Sequence, residues 1–142
     1  MSVPLHMALY NTYHAQKNRL RPGREKIGLS PGQPRILNYL SRRNNCMQKE
    51  IAQALDIRPA TVSRILNNMV EAGLVQRSPL AERKRAECIS VTDKGREAYL
   101  KWQLLCAEMK GIALQGFTQA EQDAFIEYLC RMYHNLSGKV LE

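Results

Sequence analysis

A segment in the middle of the chain carries arginine and asparagine side chains at helical spacing, and these groups can form hydrogen bonds with the edges of bases. Arg64, Asn67 and Asn68 fall on one side of a helix that Pro59 would begin, and the opposite side is apolar. In a major groove, arginine can donate two hydrogen bonds to guanine, and asparagine can pair with adenine. An ordinary amphipathic helix has a similar polar side, so this segment alone leaves both interpretations open. Its candidate contacts with DNA are Arg58, Ala60, Thr61, Ser63, Arg64, Asn67 and Asn68.

Three consecutive cations, Arg83, Lys84 and Arg85, lie between two short segments that predict β-strands at 74–77 and 87–91. Like charges repel one another, and they add nothing to an apolar core. They suit duplex phosphates or a narrow minor groove, whose negative potential attracts arginine. We therefore expect the three cations to contact DNA from a loop over 78–86. The helix and the loop together favour DNA binding over a merely solvated surface.

The net charge is concentrated in the same part of the chain. The protein has 142 residues and a formal net charge of +8. Residues 1–96 contain 17 basic and 7 acidic side chains, whereas residues 97–142 contain 4 basic and 6 acidic ones. A cationic region of this kind indicates a polyanionic partner, and the mildly anionic remainder indicates a different role.

Apolar periodicity and capping signals place these candidate residues on a small set of elements. Two short helices joined by a tight turn and followed by two strands around a basic loop predict a winged helix-turn-helix. The predicted fold class is mainly α with a small β-hairpin wing (α+β). The predicted helices cover 4–20, ended by Arg21-Pro22-Gly23; a segment from Pro31, capped by Ser30 and Gln33; Met47–Leu55; Pro59–Glu71; a long segment capped by Thr92 and interrupted at Gly116; and a last segment opened by Thr118 and ended by Gly138.

The same periodicity predicts which sides of the two short helices face a core. On the first of them, Ile51, Ala54 and Leu55 are expected to point inward. On the second, the predicted inward residues are Val62, Ile65, Leu66, Met69 and Val70.

Several classes of protein are excluded by what the sequence lacks. It has no apolar run of the roughly 18 residues that a membrane span requires, and no secretory signal at its N-terminus, so we expect a cytoplasmic protein without membrane contacts. Its four cysteines form no C-x-x-C pair, which argues against a disulfide framework or a zinc site. No phosphate-binding loop, nucleophile elbow or HExxH motif is present. We therefore expect a protein that is not an enzyme and needs no metal or cofactor.

An ordered set of short motifs resembles the MarR-type transcriptional regulators. The resemblance covers about 29–96, and the flanking helices fit that family in number and length. The motifs are Leu29-Ser30-Pro31, Ile36-Leu37, Ile51-Ala52-Gln53-Ala54-Leu55, Thr61-Val62-Ser63-Arg64-Ile65-Leu66, Gly73-Leu74-Val75-Gln76-Arg77, Lys84-Arg85 and Val91-Thr92-Asp93-Lys94-Gly95.

The resemblance implies a homodimeric repressor of a palindromic operator. Helix 59–71 would occupy the major groove and wing 78–86 the minor groove, with Arg85 at the wing tip. Segments 1–28 and 97–142 would supply the dimerisation helices around the DNA-binding region 29–96. The chain departs from the family at two positions: Arg83 stands where an aspartate usually braces the wing, and Arg58 stands where a capping residue usually begins the helix. Glu82 is a candidate for the missing brace.

The composition of the C-terminal helices also supports a homodimer, independently of the resemblance. The C-terminal helices carry little charge and many large apolar groups, and a symmetric partner would bury these groups. The residues concerned are Tyr99, Trp102, Leu105, Met109, Phe117, Phe125, Leu129, Met132 and Tyr133.

The resemblance further suggests a small aromatic effector that would release the DNA. Its candidate contacts are Tyr10, Tyr13, His14, Tyr39 and Trp102, and ordinary packing of these aromatics is the alternative. A thiol-responsive regulator is another alternative. For that role Cys46 and Cys88 are expected to be the exposed thiols, and an incidental role is the competing interpretation. A winged helix that binds another protein instead of DNA also remains open.

Overall fold

The structure, a computed structural model, describes residues 2–80 and 83–142, and it describes their side chains except at 80 and 83–86. The described residues form two compact units, Met1–Ala107 and Glu108–Glu142. The architecture is mainly helical with a three-stranded antiparallel sheet, which confirms the predicted fold class. The elements are α1 (Leu5–Ile27), α2 (Gln33–Arg42), β1 (Cys46–Met47), α3 (Gln48–Leu55), α4 (Pro59–Glu71), β2 (Val75–Leu80), β3 (Arg83–Val91), α5 (Asp93–Ala113) and α6 (Gln119–Ser137).

One apolar core holds α2, α3, α4 and the sheet together. Its centre consists of side chains with almost no exposed surface, and each of them contributes about 1.5–3 kcal/mol through burial. Because these residues recur at helical spacing on α2 and α4, each helix presents one continuous apolar stripe to the others. The largest fully buried side chains are Ile36, Leu37, Leu40, Ile51, Val62, Leu66, Met69, Val75 and Ile89.

The sheet has the strand order β1-β3-β2. Strand β1 was not predicted, because its two residues are too few to show an alternating pattern; Cys46 pairs with Ile89, and Met47 pairs with Cys88. Strands β2 and β3 are longer than predicted and continue into the segment that was predicted as the loop 78–86. Ser78, Pro79 and Glu87 are exposed, so the described outer part of the ribbon carries no apolar alternation that would mark it as strand.

Helix α1 does not end at Arg21-Pro22-Gly23, as predicted, but continues through Pro22 to Ile27. It ends at Gly28, which adopts the left-handed conformation with φ 94°, and the Leu29 N–H donates to the Arg24 carbonyl at 3.0 Å. A Cβ on Gly23 would come within 2.7 Å of the Leu105 side chain. Close packing against α5 at this point stabilises the helix despite the hydrogen bond that a proline cannot donate.

Helix α2 begins at Gln33, two residues later than predicted. Gly32 precedes it with φ 85°, a left-handed conformation that favours glycine, and a Cβ there would lie 2.8 Å from Cδ1 of Ile65. The Gln33 side chain nevertheless accepts a hydrogen bond from the Ser30 N–H at 2.9 Å. The tertiary contact with α4 therefore places the turn where the local capping signal predicted helix.

Two predicted inward residues are exposed. On α3, Ala54 is exposed and Ala52 is buried instead, because Ile51, Ala52 and Leu55 define the side that meets the core. On α4, Val70 is 38% exposed. It lies about 80° around the helix from Val62, at the margin of the apolar stripe.

The predicted caps of the last two helices are confirmed. The Thr92 hydroxyl accepts a hydrogen bond from the Gly95 N–H at 3.0 Å at the start of α5. Thr118 and Glu121 form a reciprocal capping box at the start of α6, and Gly138 ends that helix in the left-handed conformation. None of the helices in the described part of the chain is both long enough and apolar enough to cross a membrane.

Candidate nucleic-acid interface

The outward side of α4 has the composition and exposure that a DNA contact requires. Arg64, Asn67 and Asn68 are exposed, as are Arg58 and Ala60, and the flanking Thr61 and Ser63 are half-buried. These seven predicted contacts therefore lie together on and beside one face of a single helix. The opposite face, with Val62, Ile65, Leu66 and Met69, is buried in the core and holds the helix in place.

The N-terminus of α4 has no side-chain cap. Arg58 occupies the N-cap position with φ −59° and ψ 139°, and its side chain makes no capping hydrogen bond. The first-turn N–H groups of a helix lack partners within the helix, and the helix dipole makes this end electropositive. Such an end, with an exposed arginine beside it, suits a phosphate oxygen. The departure from a conventional cap thus favours anion binding here.

The C-terminus of α4 is tied to the start of α5. The Lys94 ammonium donates to the Ala72 carbonyl at 2.7 Å, and the Thr92 hydroxyl donates to the Gly73 carbonyl at 2.5 Å. A cation at this end of a helix also interacts favourably with the dipole. Both ends of α4 are therefore defined, and its polar face has a fixed orientation in this unit.

Arg77 links α4 to the ribbon, a connection that the sequence motifs do not predict. Its Nη2 donates to Oδ1 of Asn67 at 2.8 Å, and its Nη1 lies 3.5 Å from Oε2 of Glu87. Arg77 pairs with Ile89 across the ribbon, so Glu87 is its diagonal neighbour on the same face. The sequence places opposite charges, Arg77 and Glu87, at the facing ends of the two predicted strands. Only the strand register shows that these two side chains are neighbours.

The basic wing residues lie on strand backbone instead of in a loop. Strand β3 begins at Arg83, opposite Leu80, after an irregularity in the register between Pro79 and Leu80. The backbone of Lys84 and Arg85 follows within β3. The side chains of Arg83, Lys84 and Arg85 lie outside the described residues, as does the whole of Glu82. The predicted wing contacts and the Glu82 brace thus remain predictions.

The five candidate effector residues occupy two different environments. Tyr10, Tyr13 and His14 are exposed on α1, where the rings of Tyr10 and His14 pair with centroids 5.1 Å apart. Tyr39 and Trp102 are half-buried and pack against the core. A depression of about 210 Å³ contains none of the five; it is lined by Leu37, Leu40, Ser41, Asn44, Val91, Arg96 and Tyr99.

The predicted exposure of Cys46 is wrong, because pairing of β1 with β3 places its side chain in the core, where it is 7% exposed. Burial raises the pKa of the Cys46 thiol to about 11, and the Glu50 carboxylate acts in the same direction. Cys88 is half-buried and its Sγ donates to the Asn45 carbonyl at 3.1 Å. Among the residues that the structure describes, no group of three or more His, Cys, Asp or Glu side chains could hold a metal ion.

Helices α3 and α4, joined by a turn and followed by the β2–β3 ribbon, define a winged helix-turn-helix protein. Residues 27–86 match the model of the MarR family. The match includes α2, α3, α4, β2 and the first four residues of β3. The family resemblance inferred from the sequence motifs is confirmed.

Solved structures of transcriptional regulators share this fold over nearly the whole chain. SlyA is 23% identical with a TM-score of 0.87, and 96% of each chain is covered. The regulator PA3341 is 28% identical with a TM-score of 0.79, covering 96% of this chain and 100% of that one. A Listeria monocytogenes protein of the same type, solved in complex with a 26mer DNA, is 21% identical with a TM-score of 0.81; 96% of this chain and 90% of that one are covered.

Proposed function

We propose that this protein is a transcriptional regulator that binds a palindromic DNA operator as a homodimer. Helix α4 would enter the major groove, and the β2–β3 ribbon would bring Arg83, Lys84 and Arg85 to the adjacent minor groove. The observation that carries the proposal is the outward face of α4: small residues and an uncapped N-terminus, followed by the exposed Arg64 and Asn67. This face offers phosphate contacts at its start and base contacts further along.

The charge distribution supports the same partner. The winged helix and its flanking segments, residues 1–96, contain ten more basic than acidic side chains. Contacts between such a surface and phosphates release counterions, so the affinity for DNA should fall steeply as salt is added. The DNA complex of the Listeria monocytogenes protein, which shares this fold, is a further argument for a duplex partner.

The exposed apolar surface of α1 supports dimerisation. Every residue from 5 to 19 is exposed within the single chain, including Leu5 at 67% and Tyr13 at 60%. A helical segment of about this length is marginal in water without tertiary packing. A second copy of the chain would cover it, and a two-fold axis would place the two α4 helices about 34–36 Å apart, one turn of DNA.

Repression would follow from occupancy of an operator that overlaps the DNA site bound by the transcription machinery. The protein would act in the cytoplasm without enzymatic activity. A small aromatic ligand that held the two α4 helices at another separation would weaken binding. For that ligand, Tyr39 and Trp102, packed against the core, and the exposed Tyr10, Tyr13 and His14 are the candidate contacts.

The proposal is tested by selecting bound sequences from a random duplex pool with the full-length protein, followed by affinity measurements on the selected duplex at two salt concentrations. We expect a palindromic motif with half-sites one turn apart, and an affinity that falls markedly with salt. Absence of binding at low salt, or binding without sequence preference, would contradict the proposal. The first of these results would favour a winged helix that binds another protein.

A further inference from the structure

The hydrogen bond between Arg77 and Asn67 determines which way the Asn67 amide points. A guanidinium group can only donate, so its partner at 2.8 Å must be the amide oxygen. The nitrogen of the same amide, with its two N–H donors, then occupies the other side of the planar group. Asn67 is exposed on the outward face of α4, so these donors are the part of the amide available to a ligand.

Arg77 is itself held in position. Its other terminal nitrogen lies 3.5 Å from the Glu87 carboxylate on β3, and its side chain is only 27% exposed. The planar fork of a guanidinium fixes the angle between its two partners, which a lysine ammonium would not do. Residues from α4, β2 and β3 thus form one connected unit, with Asn67 at its outer end.

We propose that Arg77 is a positioning residue that sets the base preference of Asn67, so that Asn67 donates to a base edge presenting acceptors and does not pair with adenine. Adenine presents one acceptor and one donor in the major groove, whereas guanine presents two acceptors, N7 and O6. The adenine amino group would have to approach an oxygen that already accepts from a guanidinium cation. Guanine is therefore the purine favoured opposite Asn67. This inference rests on the proposed function.

The experiment compares sequence preference, not affinity alone. Bound sequences are selected with the wild-type protein and with Asn67→Ala, and the position at which Asn67→Ala loses its preference identifies the contacted base. The ratio of guanine to adenine affinity at that position is then measured for Arg77→Met. Arg96→Met is the matched control, because Arg96 also forms an ion pair, with Asp93 at 2.8 Å, but it makes no hydrogen bond to Asn67.

We expect wild type and Arg96→Met to favour guanine, and Arg77→Met to shift the ratio towards adenine by about five-fold or more. The double variant Arg77→Met, Asn67→Ala should have the same guanine-to-adenine ratio at that position as Asn67→Ala alone. A preference for adenine in the wild type, or an unchanged ratio in a folded Arg77→Met protein, would overturn the inference. Failure of the wild type to select any sequence would instead contradict the proposed function.

Arg77→Thr serves if Arg77→Met does not fold. Threonine suits a strand, and its short side chain cannot reach Asn67 as the guanidinium does. The same shift towards adenine supports the inference, and an unchanged ratio overturns it.

Discussion

The carbonyl oxygen of Leu74 lies so close to Gly95 that any side chain at position 95 would overlap it. The same carbonyl accepts a hydrogen bond from the Thr92 N–H at 3.1 Å, at the start of α5. Lys94 from this turn also bonds the end of α4. Gly95 is therefore needed for α5 to begin against the loop that follows α4, and the orientation of α4 depends on that contact.

Gly95→Ala should destabilise the protein by about 3 kcal/mol, because the added methyl group meets backbone atoms that cannot move independently. Urea unfolding followed by circular dichroism measures the change. Gly111→Ala is the control on the same helix: a Cβ there meets nothing within 4 Å, so the better helix propensity of alanine should stabilise α5 slightly. Equal stabilities of the two variants would contradict the close approach at Gly95.

Stability should depend on the protonation of Cys46. Because burial raises the pKa of this thiol from 9.0 to about 11, the folded state holds the proton more tightly than the unfolded state. Its contribution is complete below pH 9 and is lost as the pH rises towards 11. Between pH 7 and alkaline pH, the free energy of unfolding should fall for both proteins. The fall should be smaller for Cys46→Ala than for wild type, by on the order of 2 kcal/mol. Parallel pH profiles for the two proteins would contradict this assignment.

Arg64→Ala should weaken operator binding by about 1 kcal/mol or more and relax the preference at one base pair. Arg64 is exposed on the face of α4 proposed to enter the major groove. Competition between the selected duplex and single-base variants measures both effects. Arg35→Ala removes an equal charge from α2, where Arg35 donates to the Leu55 carbonyl, and should leave base preference unchanged. An Arg64→Ala protein with full selectivity would remove this residue from the interface.

Arg85→Ala should also weaken operator binding by more than about 1 kcal/mol, since a minor-groove arginine interacts with a strong negative potential. Lysine gains less than arginine from a narrow groove, so Arg85→Lys should recover only part of the affinity. Titrations of the selected duplex at constant salt measure the series. If Arg85→Ala binds as tightly as the wild type, the proposed contact of the wing with the minor groove is wrong.

A charge on the exposed apolar side of α1 should dissociate the proposed homodimer. Leu5→Glu places a carboxylate on the side shared by Leu9 and Tyr13, where a second copy would bury it. Asn11→Glu adds the same charge on the opposite side and is the control. Analytical ultracentrifugation should give a shift towards monomer for the first variant alone. A wild-type protein that sediments as a monomer would contradict dimerisation directly.

Local sequence signals were sufficient to predict an element whose bounds depend on its own capping residues and its own apolar stripe. Helix α4 begins at Pro59 and ends at Glu71, as predicted, because a proline suits the first helical position and Gly73 suits the left-handed turn that follows. The capping box at Thr118 and the cap at Thr92 were predictable for the same reason. Together with the pattern of two short helices followed by two strands around a basic loop, such local signals were enough to predict the winged helix.

Contacts between distant parts of the chain decided the remaining features. Helix α1 continues through Pro22 because Gly23 packs against Leu105, and Cys46 is buried because β1 pairs with β3. The orientation of the Asn67 amide depends on Arg77, ten residues away, and on a ribbon register that brings Glu87 to the same guanidinium. Local propensity specifies how a segment can fold, but the free energy of such contacts depends on which surfaces meet, and only the tertiary structure determines that.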